Sequence, residues 1–258
     1  MPAMAPTPLT LPALLADDPR APFPAPEAAL RHPNGLLAIG GDLSCARLLN
    51  AYRHGIFPWY SDGQPLLWWS PDPRAVFRTG NDGVRLSSRF RRRLRRSSLV
   101  VRADHDFEAV IVQCARIRRA GQDGTWITDA MIRAYIELHR AGHAHSIEVV
   151  DATTGGDGLV GGLYGVAVGR MFFGESMFSA RSGGSKLALA GLARRLCEWG
   201  WPLLDAQVEN DHLLGLGAVA MPRPAFLAEV ARLTALPEPA GHWRDRFGCL
   251  PAAALAKA

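Results

Sequence analysis

Met171-Phe172-Phe173-Gly174-Glu175-Ser176-Met177-Phe178 opens the stretch that decides the fold, which runs on through Ser185 to Glu198 and closes on Pro202-Leu203-Leu204-Asp205-Ala206-Gln207-Val208. The first segment is apolar and aromatic, as a strand is. Leu189, Leu192, Ala193 and Leu196 then recur three and four apart, the period of a helix with one apolar face, and Ser185 is placed to cap it. The third segment is again strand-like. Strand, helix, strand in that order is a βαβ crossover, so both strands are expected to lie parallel in one sheet.

The pattern continues on either side. Residues 159–168 form a further strand, turned into 171–178 by Gly169-Arg170, and 146–150 form another before the Gly-rich loop 151–158. Phe107, Val110, Ile111 and Cys114 mark an amphipathic helix capped by Asp104 or Asp106. Met131, Tyr135 and Leu138 mark a second, capped by Thr128. Residues 23–75 differ, crowding Gly, Pro and Trp together. A short strand is expected in 35–43 and a helix from about 44 to 53, while prolines argue against a central strand at 55–60 and 68–74. The expected class is α/β or α+β. The expected organisation is a flexible arm (1–22), a small irregular domain (23–75), a larger domain (76–247) and a tail (248–258).

Length and composition agree with this. At ~150 residues per domain, 258 residues make one large domain or two modest ones. A chain 48% hydrophobic and 21% charged is neither disordered, collagen-like nor a coiled coil. No apolar stretch approaches the ~18 residues that span a bilayer. The N-terminus has no basic start and its apolar patch is broken by prolines, which argues against a secretory signal. Cys45, Cys114, Cys197 and Cys249 are widely spaced, which suits a reduced cytoplasmic protein. His139 and His143 are four apart but lack the intervening Glu of a zinc-protease helix, so no metal is expected.

Charge is concentrated in one place. The net charge is +5, yet Arg85, Arg89, Arg91, Arg92, Arg93, Arg95, Arg96 and Arg102 fall in one window without an acid. Such a run is either a solvated face or a polyanion site, where guanidinium groups bind phosphates and release counterions. No helix-turn-helix or finger pattern accompanies it, so sequence-specific DNA binding is not expected. Trp68 and Trp69 read as core. Trp59 and Trp126 stand alone and either fill the core of the small domain or stack on bases. Glu175 is a carboxylate in an apolar run, costly to bury unless paired, as with an arginine. Asp205 and Gln207, two apart on a strand, share a face at its end. Arg181-Ser182-Gly183-Gly184-Ser185-Lys186 opens a helix with amide donors for an anion, without Walker spacing.

Several runs together resemble one family. They are Pro33-Asn34-Gly35-Leu36-Leu37-Ala38-Ile39-Gly40-Gly41-Asp42-Leu43, Gly55-Ile56-Phe57-Pro58-Trp59, Trp68-Trp69-Ser70-Pro71-Asp72-Pro73-Arg74 and Gly124-Thr125-Trp126-Ile127-Thr128. Further on come Gly142-His143-Ala144-His145-Ser146-Ile147-Glu148, Gly161-Gly162-Leu163-Tyr164-Gly165-Val166-Ala167, Gly174-Glu175-Ser176-Met177-Phe178-Ser179 and Asn210-Asp211-His212. From about Phe23 to Leu227 the chain resembles the bacterial leucyl/phenylalanyl-tRNA–protein transferases.

That resemblance implies a GNAT-like acyltransferase domain behind a small N-terminal domain. It implies transfer of Leu or Phe, less well Met, from aminoacyl-tRNA to an N-terminal Arg or Lys, creating a degradation signal. The ester is already activated, so no cofactor is implied. The partners implied are Leu-tRNA, Phe-tRNA and proteins with N-terminal Arg or Lys, with no membrane or DNA. By the same resemblance Asp205 and Gln207 serve the reacting amine, and Glu175 lies near it or near the acceptor's cationic first residue. Trp59 and Trp126 flank the terminal adenosine, and Leu163, Phe172, Leu189 and Leu192 line the side-chain pocket. The arginine run from Arg85 to Arg96 meets tRNA. Arg181 stands one position away from the family's arginine.

Overall fold

The computed structural model describes residues 13–14, 18–80, 83–117, 126–154, 158–238 and 240–256. Much of the expected arm, Gly124-Thr125 and part of the 151–158 loop lie outside the described residues.

Two sheets form the frame. The smaller has the order β1-β2-β4-β3, from β1 (Ala13–Leu14), β2 (Leu36–Gly40), β3 (Phe57–Pro58) and β4 (Leu67–Trp69). The larger is built from β5 (Arg74–Arg78), β6 (Leu99–Ala103), β7 (Ala144–Asp151), β8 (Leu159–Val168), β9 (Met171–Ser179), β10 (Leu203–Gln207), β11 (Val219–Met221) and β12 (Leu250–Pro251). Its order is β11-β5-β10-β9-β8-β7-β6-β12. Only β9 and β10 pair in parallel there, with Leu204 opposite Phe172 and Asp205 opposite Phe173; the connection is helix α5 (Gly184–Glu198). The expected crossover is therefore present.

Strand alternation sorts the core onto two faces. Val76, Tyr164, Phe173 and Leu203 join one buried cluster, and their neighbours Phe77, Leu163, Phe172 and Leu204 join the other. The first face is covered by α1 (Cys45–Arg53), α3 (Phe107–Arg116), α4 (Asp129–Arg140) and α7 (Arg223–Thr234). The second is covered by α5 and by the C-terminal segment, including α8 (Arg244–Phe247). Two short helices remain: α2 (Ser88–Leu94) carries four of the eight arginines of the run, and α6 (Asp211–Gly215) follows β10. Leu37, Leu48 and Trp68 of the N-terminal part share the first cluster with the large sheet.

Caps at α1, α3 and α4 are side-chain oxygens of Ser44, Asp106 and Thr128, each accepting a backbone N–H of the first turn. The cap of α5 differs from expectation. Gly183, at φ 89°, holds the N-cap position, and Ser185 lies inside the helix. Ser179 at the end of β9 supplies the missing acceptor, taking the Ser185 N–H at 2.8 Å. The helix starts tightly against β8: a Cβ on Gly184 would meet the Val160 carbonyl oxygen at 2.4 Å.

Three other expectations change. Leu67–Trp69 is a strand, and a central one, flanked by β2 and β3; Pro58 sits on the edge strand, where a missing N–H costs no ladder bond. The boundary expected at 75 falls inside β5. Residues 248–256 are packed rather than trailing: β12 pairs with β6, and Ala252 and Leu255 are buried.

Candidate active site

Between β9, β10 and α5 lies a cavity of about 890 Å³. The pairing of the two parallel strands ends here, at Asp205 and Phe173, and β10 carries a bulge just beyond. Its walls include Leu163, Phe172, Leu189 and Leu192, and Trp59, Trp126, Glu175, Asp205 and Gln207 also line it. All the residues expected at the amine and around the donor group thus meet in one place. Phe77, Met177 and Leu204 also line the cavity, and the sequence reading did not single them out. Trp59 is 36% exposed, with its ring 5.6 Å from that of Trp69 and its carbonyl accepting the Trp69 Nε1–H at 2.7 Å. Trp69 therefore buttresses Trp59, while Trp68 is fully buried, as expected of a core residue.

The polar end of the cavity rests on a buried network. Glu175 accepts from Tyr52 Oη at 2.8 Å, Tyr135 Oη at 3.0 Å and Gln207 Nε2 at 2.7 Å. The two tyrosine hydroxyls also bond to each other. Burial pushes the Glu175 carboxyl up to about 8, and the Asp205 charge adds to this, against the tyrosine bonds and Arg74, which favour the anion. Burial and the Glu175 charge also raise both tyrosine hydroxyls well above their ordinary value. Glu175 is thus a carboxyl held near neutrality by its surroundings.

The arginine ion pair in this region is made by Asp205 rather than Glu175. Arg74 donates from Nε to Oδ1 at 2.8 Å and from Nη2 to Oδ2 at 2.7 Å, and neither side chain is exposed. Arg74 Nη1 donates to the Gly55 carbonyl at 3.1 Å, and the guanidinium lies 4.6 Å from the ring centres of Phe57 and Phe226. Asp205 Oδ1 also accepts the Gln207 backbone N–H at 2.9 Å. Asp205 and Gln207 are joined, but across a bulge rather than by simple alternation. Gln207 has φ 62°, a left-handed conformation that costs a non-glycine residue roughly 1–3 kcal/mol. Asp205 holds that backbone, and the Gln207 amide is thereby turned onto Glu175.

A second cavity, of about 910 Å³, lies against α2. Arg85, Arg89, Arg92, Arg93, Arg96 and Lys186 line it. Positions 89, 92 and 93 share one face of α2, three and four apart, and Arg96 follows in the turn after it. Arg91 and Arg95 fall on the other side, so the structure does not bring these two of the expected residues to the groove. Arg102 is paired with Glu148 at 2.9 Å. The shifted Arg181 pairs with Asp151 at 3.0 Å, away from the cavity's acid; hydrogen bonds from Ser98, Thr153 and then Arg181 hold the Asp151 carboxyl below its ordinary range.

Among the described residues, Asp104, His139 and His242 bring their possible ligand atoms within 4.8 Å of one another. Hydrogen bonds already account for the acid and one histidine: Asp104 accepts from Ser146 N, Trp243 N and His145 Nδ1, and His139 Nδ1 faces the Ala144 carbonyl at 2.8 Å. No helix among the described residues is long and apolar enough to cross a membrane.

Fold and cavity together define an α/β protein with a largely apolar cavity beside a buried carboxyl. Residues 41–72 match the family model of the leucyl/phenylalanyl-tRNA protein transferase N-terminal domain, and residues 79–231 match that of leucyl/phenylalanyl-tRNA protein transferase. The leucyl/phenylalanyl-tRNA–protein transferase of Xanthomonas euvesicatoria pv. vesicatoria (strain 85-10) is 66% identical over 242 residues, 94% of either chain. That of Xylella fastidiosa (strain 9a5c) is 60% identical over 237 residues, 92% of this chain and 95% of the relative. Among solved structures, L-PGS from Bacillus licheniformis has a TM-score of 0.38 at 11% identity, over 70% of this chain and 67% of that one. A tandem GNAT protein from the clavulanic acid biosynthesis pathway has a TM-score of 0.34 at 16% identity, over 64% and 52%. The chain belongs to the leucyl/phenylalanyl-tRNA protein transferase family, and it is an aminoacyltransferase.

Proposed function

We propose that the enzyme transfers Leu or Phe, and Met less well, from aminoacyl-tRNA to proteins that begin with Arg or Lys. The observation that carries this is the apolar cavity ending on Glu175 and Gln207. The donor's side chain lies among Leu163, Phe172, Leu189 and Leu192, and its terminal adenosine between Trp59 and Trp126. Such a wall separates apolar groups by only ~1–3 kcal/mol per methylene, which suits tolerance of both Leu and Phe.

The acceptor's α-amine attacks the ester carbonyl carbon. A C–N bond forms, the bond to the ribose oxygen breaks, the amine gives up one proton and the ribose oxygen gains one. Gln207 orients the amine and Glu175 accepts its proton. A carboxyl at about 8 is matched to the acceptor's α-ammonium, ordinarily ~7.7–8.0, so Glu175 takes that group's proton and frees the neutral amine; the further proton the amine loses as the amide forms is the one the ribose oxygen gains. Asp205 serves the step through Gln207 and Arg74 rather than by touching substrate. The tRNA backbone follows the groove of Arg85, Arg89, Arg92, Arg93 and Arg96. Four free cysteines suit the reducing cytoplasm.

The test is incubation with charged Leu-tRNA and an Arg-initiated peptide, without added cofactor. Mass spectrometry should find the peptide extended by one leucine. Acetylation of the peptide from acetyl-CoA, with no leucine transferred, would sink the proposal.

A further inference from the structure

The apolar cavity and the arginine groove are lined by neighbouring residues at two places. Ser185 lines the apolar cavity, and the next residue, Lys186, lines the basic groove. Across from them, His212 and Leu213 of α6 line the first cavity, while Gly215 and Leu216 line the second. The passage from one to the other is therefore bounded by the first turn of α5 and by α6. Lys186 of α5 and His212 of α6 are basic side chains on these two walls, with Arg93 beside the start of α5, where it donates to the Ser182 carbonyl, and Arg85 against Gly217 after α6. The Lys186 charge reaches His212 and, after burial, is the second cause holding its imidazole below the ordinary range. None of the described ion pairs involves Lys186. A half-buried ammonium with no counter-charge, beside an imidazole, lacks an anion.

The donor's chemistry names the anion. With the aminoacyl group and terminal adenosine in the apolar cavity, the first negative charge along the chain is the phosphate on that adenosine's 5′ oxygen. It lies one sugar away from the ester, where the chain leaves the cavity for the groove. We propose that Lys186 and His212 hold this 5′-phosphate of the donor's terminal nucleotide. The phosphate is thereby a registration point: it sets how deep the ester sits against Glu175 and Gln207. This rests on the aminoacyl-tRNA reading above.

Two minimal donors separate the ideas: leucine esterified to adenosine, and leucine esterified to adenosine 5′-monophosphate. Both are given to the enzyme with an Arg-initiated peptide, and kcat/KM is measured for each. The wild type should favour the phosphorylated donor by roughly 10- to 100-fold, the size of one hydrogen bond to a charged group. Lys186→Ala and His212→Ala should each lower that ratio towards one, and Lys186→Arg should keep most of it. A wild-type ratio near one, a ratio unmoved by the substitutions, or equal losses on both donors would overturn the phosphate site while leaving aminoacyl transfer standing. Transfer from neither donor, nor from Leu-tRNA, by the wild type would overturn both.

Discussion

Arg74 and Asp205, 131 residues apart, are locked by two parallel hydrogen bonds of 2.8 and 2.7 Å in a space closed to solvent. The pair ties β5 to β10 and, through the Gly55 carbonyl, to the loop before β3. It also fixes the bulge that presents Gln207. A buried ion pair is costly to break because one charge is left uncompensated.

Asp205→Asn should therefore destabilise the protein by about 3–5 kcal/mol, and Arg74→Ala by a similar amount. Single-turnover transfer should also slow in the folded fraction, because Gln207 loses its anchor. Denaturant unfolding and rapid-quench kinetics read the two effects. An Asp205→Asn protein of native stability would refute this account of the pair. Arg74→Lys should not restore either property, since an ammonium cannot make both bonds.

Glu175 ties stability to pH. Its folded value of about 8 lies above the ordinary 4.5, so the folded state holds the proton more tightly. Its contribution is fully present below about 4.5 and is lost as pH rises towards 8, a change on the order of a few kcal/mol. Thermal melts of the wild type should fall in Tm from pH 5 to pH 8.5 more steeply than those of Glu175→Gln. Parallel slopes would show that the carboxyl titrates normally.

The tyrosines can be tested by the same group's titration. Tyr52→Phe and Tyr135→Phe each remove a donor from the Glu175 anion, so each should push its titration further upward. Rising pH should then restore transfer at a more alkaline midpoint than in the wild type. A pH profile of kcat unmoved in both variants would separate the tyrosines from the chemistry.

The two sides of the arginine helix should behave differently. Reversing Arg89, Arg92 and Arg93 to Glu should weaken tRNA binding strongly and flatten its salt dependence, by roughly 0.7 in log–log slope for each lost contact to a single strand. Reversing Arg91 and Arg95 should do much less. Filter binding across a salt series reads both. Equal losses in the two sets would mean that net charge, not the groove, attracts tRNA.

Much of the frame was legible before the structure. Period-two and period-3.6 patterns are local, so β8, β9, α5 and β10 could be read from neighbouring residues alone. The caps of α1, α3 and α4 were legible for the same reason, since a cap bonds within its own first turn. The cap of α5 was not, because its acceptor comes from Ser179 at the end of β9. The groove side of α2 would follow from helical spacing once α2 is known to be a helix. The strand at Leu67–Trp69 was missed because nearby prolines argued for loops, yet the prolines fall outside it.

By itself the sequence determined the α/β alternation, the family, and which residue types crowd the cavity. Only the tertiary structure decided who pairs with whom. Asp205 could have met any of 27 arginines, and the choice of Arg74 depends on the register of β5 against β10. Tyr52 and Tyr135 reach Glu175 from 123 and 40 residues away, on helices whose pattern marks them only as places on an apolar face. A side chain's neighbours across such separations are set by how layers pack, and packing is a property of the whole chain rather than of any stretch. The same reason explains why Glu175, for which an arginine pair was one open reading, is hydrogen-bonded to two hydroxyls and an amide, while Arg74 acts on it only through its charge.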